Sequence, residues 1–310
     1  MRILVTDEIS EEGISLLRDA NFVVDLDFEI SYDGLLKKIP EYDGLIVRSR
    51  TKVDKRIIEN GVKLKFIGRA GVGLDNIDVE AAKKRDIIVL NTPEAPSASV
   101  AELVFGMLLS LIRKISMCDK LMKNGEWPKK HALGFELKGK TIGIIGLGKI
   151  GKEVAKRAKA FEMKILYYDV IRHDPATERE LNVQFVDLDE LLRISDIITI
   201  HVPLTHETHH LINEDKLKIM KRGAILVNTS RGAIVDGKAL LKHLKNGHIY
   251  GACLDVFENE PPKEPWEKEL ISLDNVIATP HIGSMTMEAQ NRAATILANK
   301  IIDLFKGKNL

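Results

Sequence analysis

Three segments late in the sequence carry side chains suited to proton and anion chemistry: Arg231 in NTSRGAIVD, Asp255 and Glu260 in LDVFENEPP, and His281 in ATPHIGS. Histidine titrates near neutrality, so it can take a hydroxyl proton as hydride leaves the neighbouring carbon. A carboxylate beside it would orient the ring and stabilise its charged form. A guanidinium would hold a substrate carboxylate and polarise the adjacent oxygen. Arg231, Glu260 and His281 can divide those roles in the oxidation of a hydroxy acid. Taken singly, each has a plainer reading. Arg231 can pair with a surface acid, Glu260 can cap a Pro-rich turn, Asp255 can hold a loop, and His281 is one of nine histidines, here beside a turn.

Hydride chemistry needs an acceptor, and KTIGIIGLGKIGKEVAKRAKAFEMKILYYD provides the pattern of a dinucleotide site. An apolar run leads into Gly146, Gly148 and Gly151, an Ala-rich helix follows, and Asp169 ends the next apolar run, 18 residues past the last glycine. Gly146 permits the tight turn, Gly148 lets backbone approach a pyrophosphate, and Gly151 lets the helix press on the sheet. Amides at Lys149 and Ile150 would face the phosphates from the helix N-terminus. Asp169 would accept from the adenosine ribose and repel a 2′-phosphate, which selects NAD over NADP. Arg172, three residues on, could soften that choice or simply be solvated.

The elements that must position these groups follow an α/β rhythm. Strand-like runs at Ile3 to Thr6, Phe22 to Leu26, Leu45 to Val47, Phe66 to Gly68 and Ile87 to Leu90 alternate with amphipathic stretches at Ser10 to Asp19, Tyr32 to Lys38, Asp54 to Glu59 and one opening near Asp78. NTPEAPSAS then reads as a linker or hinge, followed by a long helix from about Ser97 to Lys123 with Ser97 or Ser99 as N-cap. A second series has strands at Thr141 to Ile145, Lys164 to Tyr168, Ile197 to Ile200, Ala224 to Val227, Gly251 to Leu254 and Val276 to Ala278, and a final helix from Met287 to Phe305. The fold class is α/β, with two Rossmann-like, doubly wound parallel-sheet domains. In such sheets ligands collect beyond the carboxyl ends of strands, where Arg231, Asp255, Glu260 and His281 fall.

Composition narrows the partners. At 310 residues two domains are expected, and 46 basic against 45 acidic residues, with no block of one sign, give no footprint for nucleic acid or a membrane surface. The N-terminus lacks the apolar core of a signal peptide, and the most apolar stretch, Leu103 to Ile112, is half of what a bilayer requires. Cys118 and Cys253 are far apart with no metal-like spacing, which predicts reduced thiols, no metal and a cytoplasmic protein. A small molecule is the expected ligand.

GLGKIG, NTSRGAIVD, LDVFENEP and TPHIGS occur in the order and spacing of the D-isomer-specific 2-hydroxyacid dehydrogenases, and the sequence resembles that family over essentially its whole length. The resemblance implies that Arg231 binds substrate, Glu260 is the carboxylate partner and His281 the acid–base. It also implies that Asp255 meets the nicotinamide carboxamide and that Val202, Thr229, Ser230, His281 and Gly283 line the cofactor. It further implies a discontinuous substrate domain of residues 1–95 and 286–310, an NAD-binding domain of residues 96–285, and a homodimer formed through the long helix.

Within that family, IVRSRTKVD and IGRAGVGLDNID look most like the branch that oxidises D-3-phosphoglycerate in serine synthesis. By that resemblance Arg48 and Arg69 surround a phosphorylated 2-hydroxy acid, and the backbone at Val72 and Gly73 receives its carboxylate. Arg50 would add a third charge, and guanidinium forks suit a phosphate. Arg48 and Arg50 can equally be solvated residues at a strand end. The chain ends at Leu310, which predicts a form without the C-terminal regulatory domains of some relatives. Glyoxylate and hydroxypyruvate reductases share the Arg–Glu–His set and remain an alternative, as do corepressors of the family that assemble in response to NAD.

Overall fold

Val, Ile and Leu fill the runs expected to be strands, and in the computed structural model, which describes residues 1–305, these runs pair as two parallel sheets. The first holds β1 (Arg2–Val5), β2 (Val23–Leu26), β3 (Gly44–Val47), β4 (Phe66–Arg69) and β5 (Ile88–Asn91) in the order β2-β1-β3-β4-β5. Asp54 and Asp78 accept from the amides of Ile57 and Ala81, which starts the helices Lys55–Asn60 and Val79–Lys83. The helices Glu11–Asp19 and Met287–Phe305 press together where Gly13 faces Ala294, and a Cβ at residue 13 would come within 2.7 Å of the alanine methyl. Ile3, Val5, Ile46 and Phe66 of the sheet are packed with Leu297, Ala298, Ile301 and Phe305. This unit comprises Met1–Ser97 and the chain from Ser284 on. The last five positions of the expected segment 286–310 lie outside the described residues.

The second unit, Ala98–Gly283, holds a seven-stranded sheet. Its strands are β6 (Thr141–Ile145), β7 (Lys164–Tyr168), β8 (Val183–Phe185), β9 (Ile197–Ile200), β10 (Ala224–Asn228), β11 (Ile249–Leu254) and β12 (Val276–Ala278), in the order β12-β11-β10-β9-β6-β7-β8. The chain runs outward from β6 to β8, then returns to β9 on the other side of β6. That reversal opens a crevice at the carboxyl ends of β6 and β9, the usual ligand position in doubly wound sheets. β8 is one strand more than the sequence reading supplied. It is three residues long, interrupted by Gln184, and gains its identity only by pairing with β7.

The long helix expected from Ser97 to Lys123 is two helices, Ser97–Ile112 and Ile115–Lys123. Lys114 between them is left-handed, with φ 54°. The cause lies in residues 131–134. A Cβ on Gly134 would sit 2.0 Å from the Ile112 carbonyl oxygen, and the Lys114 ammonium donates to the His131 carbonyl at 2.8 Å, so that segment crosses the helix end and stops it. Val104, Leu108, Leu111 and Ile112 are buried with Ile142, Ile144 and Tyr167, and no described helix is long and apolar enough to cross a membrane. Both cysteines are free; Cys253 is buried in β11, and Cys118 is half-buried. Burial pushes the Cys253 thiol up, out of reach of ordinary deprotonation.

Candidate active site

The turn after β6 follows from three glycines. Gly146 has φ 92°, and its absent Cβ would lie 2.8 Å from both the His201 carbonyl oxygen and a Val202 methyl, so backbone angle and crowding both demand glycine there. Gly148 faces open space. A Cβ on Gly151 would strike the Gly146 carbonyl at 2.2 Å, which is how closely the helix Lys149–Ala160 meets the turn. No acidic residue stands in that helix's first turn and no side chain caps it. Ile150 packs into the core beneath, and Lys149 sits at the helix start.

Asp169, just past β7, uses one oxygen to accept the Leu147 amide at 2.9 Å and the other to accept the Val170 amide at 2.8 Å. Its carboxylate is thereby aimed from the same turn. Arg172 is held away by Glu178, with Nε and Nη2 each 2.9 Å from a carboxylate oxygen. The hydrogen bonds from Arg172 and Tyr167 hold Glu178 down to about 2, so the pair stays charged and Arg172 does not offset Asp169. At the end of β10, Ser230 Oγ donates to the Ile200 carbonyl at 2.8 Å, while the buried Thr229 Oγ1 has no partner among the described residues. An open glycine, an uncapped helix start, an aimed carboxylate and an unpartnered hydroxyl fit a dinucleotide.

Glu260 and His281, 21 positions apart, meet: His281 Nδ1 and Glu260 Oε2 are 2.7 Å apart, and both side chains are partly exposed. His281 has φ 54°, a left-handed backbone set by its amide donating to the Asp255 carbonyl at 2.8 Å. Burial works to raise the Glu260 carboxyl, but the hydrogen bond and charge of His281, the Phe257 amide and Arg231 outweigh it and hold the group below the usual carboxylate range. Glu260 is therefore ionised wherever imidazole titrates.

Asp255, expected against the nicotinamide carboxamide, is 1% exposed. Its oxygens accept Thr279 Oγ1 at 2.6 Å, the Ile282 amide at 2.8 Å and the Gly283 amide at 2.9 Å, so they hold the loop that carries His281. Arg231 lies in a turn shaped by the buried Asn228, which donates to the Arg231 carbonyl at 2.9 Å and accepts the Ser230 amide at 3.1 Å. Gly232 lets that turn touch the neighbouring loop, since a Cβ there would come within 1.9 Å of the Phe257 carbonyl carbon.

The arginines of the first unit differ in their surroundings. Arg50 Nε lies 3.2 Å from Asp7 Oδ1, and its terminal nitrogens donate to the carbonyls of Ile30 and Thr6. The guanidinium that could have added a third charge is engaged within its own unit. Arg48 donates at 3.3 Å to the Glu8 carbonyl and to Gln290 Oε1, both long contacts. Arg69 ends β4, with its guanidinium 2.7 Å from where a Gly71 Cβ would be, beside Val72 and Gly73. Asn91 Nδ2 fixes that loop by donating to the Val72 carbonyl at 2.6 Å.

Residues 105–283 match the NAD binding domain of the D-isomer specific 2-hydroxyacid dehydrogenases. The chain belongs to that family. It is an NAD-dependent dehydrogenase, 49% identical over 300 residues to a hydroxypyruvate reductase of Thermotoga maritima, with 97% of each chain covered. It is 48% identical over 309 residues to a D-3-phosphoglycerate dehydrogenase of Methanocaldococcus jannaschii, covering 99% of this chain but only 58% of that relative's length. Among solved structures, a D-lactate dehydrogenase of Aquifex aeolicus complexed with NAD and lactic acid superposes with a TM-score of 0.84 at 30% identity, covering 99% of this chain and 96% of that one.

Two features of this dehydrogenase's site escaped the sequence reading. Asn228 ends β10 with a side chain whose partners are backbone groups, which no motif announces. His201, after β9, is pushed down to about 3 by burial, with Nε2 2.8 Å from Thr199 Oγ1. Burial thus favours the neutral form of His201, whereas His281 has a carboxylate partner.

Proposed function

We propose that the dehydrogenase oxidises D-3-phosphoglycerate to 3-phosphohydroxypyruvate, and the observation that carries the reaction is the 2.7 Å contact of His281 with Glu260. With Nδ1–H donated to the carboxylate, Nε2 of His281 holds the lone pair and takes the substrate hydroxyl proton. Glu260 stabilises the imidazolium that forms. Arg231 binds the substrate carboxylate and polarises the reacting oxygen. NAD, when bound, supplies the hydride acceptor. Gly146, Gly148, Gly151, Lys149 and Ile150 would hold its pyrophosphate and Asp169 its adenosine ribose, with Val202, Thr229, Ser230 and Gly283 lining it.

Arg48 and Arg69, at the ends of β3 and β4, would take the phosphate; the Arg48 guanidinium, whose bonds to the Glu8 carbonyl and Gln290 are long, can exchange them for charge-assisted ones. Residues Val72 and Gly73 would meet the carboxylate. Exposed Ile115, Met122, Trp127 and Leu133 support a homodimer built on this region, since exposed apolar side chains gain from being covered.

A second reading, reduction of glyoxylate or hydroxypyruvate, is favoured by the engagement of Arg50 and by the T. maritima relative that matches over its whole length. Kinetics of Arg48→Ala and Arg69→Ala on 3-phosphoglycerate and on glyoxylate separate the two. Each charge-assisted phosphate contact is worth about 1.5–3 kcal/mol, so the KM for 3-phosphoglycerate should rise roughly 10- to 100-fold with glyoxylate little affected. A uniform loss on both, or wild-type preference for glyoxylate, puts the reductase first.

A further inference from the structure

Glu267 lies in the helix Pro265–Ser272 and is 1% exposed. A carboxylate so deeply buried needs strong partners. Its Oε1 accepts the Asn259 amide at 3.0 Å and Asn259 Nδ2 at 3.1 Å; its Oε2 accepts the Lys263 amide at 2.8 Å, the Glu264 amide at 3.0 Å and Asn259 Nδ2 at 3.2 Å. A helix capping box accounts for the bond from Glu264 alone. The remaining donors belong to Asn259 and Lys263, which flank Glu260 and the cis Glu260–Pro261 peptide. One carboxylate therefore ties both ends of the loop that carries Glu260.

Burial works to raise the Glu267 carboxyl, yet the three amides and the Asn259 side chain outweigh it and keep the group below the usual carboxylate range. The helix start is itself fixed, because the Trp266 ring comes within 2.4 Å of where a Gly237 Cβ would be. Around Glu260 the charged groups are His281 and Arg231, and Glu258, two residues earlier, faces His210 Nε2 at 3.5 Å.

We propose that Glu267 is a positioning residue for the proton-handling pair, clamping residues 259–264 so that Glu260 Oε2 stays on His281 Nδ1. The proposal rests on the reading of Glu260 and His281 given above. Neither atom of the pair touches Glu267, so the effect must pass through the loop.

The test is the pH profile of kcat/KM, with the best substrate, for Glu267→Gln, Glu260→Gln and the double variant, together with the Kd for NAD. In Glu267→Gln an amide nitrogen must face either the Asn259 donors or the Lys263 and Glu264 amides, so the clamp opens whichever way the side chain turns. We expect a loss of roughly tenfold in kcat/KM, and a profile displaced to lower pH in the same sense as Glu260→Gln, since imidazolium loses its anionic partner. NAD affinity should hold, and the double variant should be no worse than Glu260→Gln alone. An unmoved profile, or losses that multiply in the double variant, overturns the clamp. If Glu267→Gln fails to fold, Asn259→Ala removes only the side-chain donors and should give a smaller displacement of the same sign; an unmoved profile there overturns it equally. A Glu260→Gln enzyme with an unaltered profile overturns the pair itself, whereas an altered one beside an unaltered Glu267→Gln overturns only the clamp.

Discussion

Asp7 and Asp255 are both buried acids just beyond a strand end, one in each unit, with 4% and 1% exposure. Asp255 spends its oxygens on two backbone amides and a hydroxyl of the segment 279–283. Asp7 accepts the amides of Arg48 and Thr51 and the Thr51 hydroxyl, but it also draws in the guanidinium of Arg50. The first arrangement fixes the loop that carries His281 and leaves the His281–Glu260 pair partly exposed. The second engages a charged side chain within its own unit. One buried acid is thus spent on backbone anchoring alone, and the other on anchoring together with a guanidinium.

The strongest way to break the first half of that contrast is His281→Ala. Turnover should fall roughly a hundredfold or more, in line with the loss of a general acid–base group, while the Kd for NAD stays nearly constant. Equal activity would leave the Asp255 loop with nothing to position. Asp169 extends the comparison to a third acid at a strand end, with each oxygen on an amide and its charge still unmatched by Arg172. Asp169→Ala should weaken NAD binding roughly tenfold and relax discrimination against NADP, read from the two Kd values. A wild type that already prefers NADP would remove the basis for that expectation. The smallest effect is expected at Arg50, where Ala should leave the preference between 3-phosphoglycerate and glyoxylate unchanged. Unfolding stability should fall by about 1–2 kcal/mol, because the half-exposed ion pair is screened but Asp7 and two carbonyls lose a donor. A selective rise in KM for the phosphorylated substrate would show that Asp7 releases the arginine.

The dinucleotide turn was legible because its constraints are contiguous: Gly146, Gly148 and Gly151 are required within six positions, and Asp169 follows at the end of the next strand. The meeting of Glu260 with His281 was legible only as a pairing of chemical types, since 21 positions separate them. Glu267 and Asn228 left no trace, for their partners are mostly backbone amides and carbonyls that every residue carries. The pairing of Arg50 was hidden because Asp7, 43 positions earlier, becomes its neighbour only when β1 pairs with β3. The break at Lys114 was hidden for the same reason, being imposed by the segment around Gly134 rather than by any helix breaker in its own sequence. Strand order and the short β8 likewise depend on pairing.

The unequal burial of the two thiols gives the chain a built-in clock. Cys118 is only half-buried within its own chain, whereas Cys253 lies two residues before Asp255 in the interior of β11 and can react only when that strand opens. Counting labels per chain over time therefore times the opening of the sheet from which the loops of Asp255 and His281 emerge, with the first thiol as an internal standard for reagent strength.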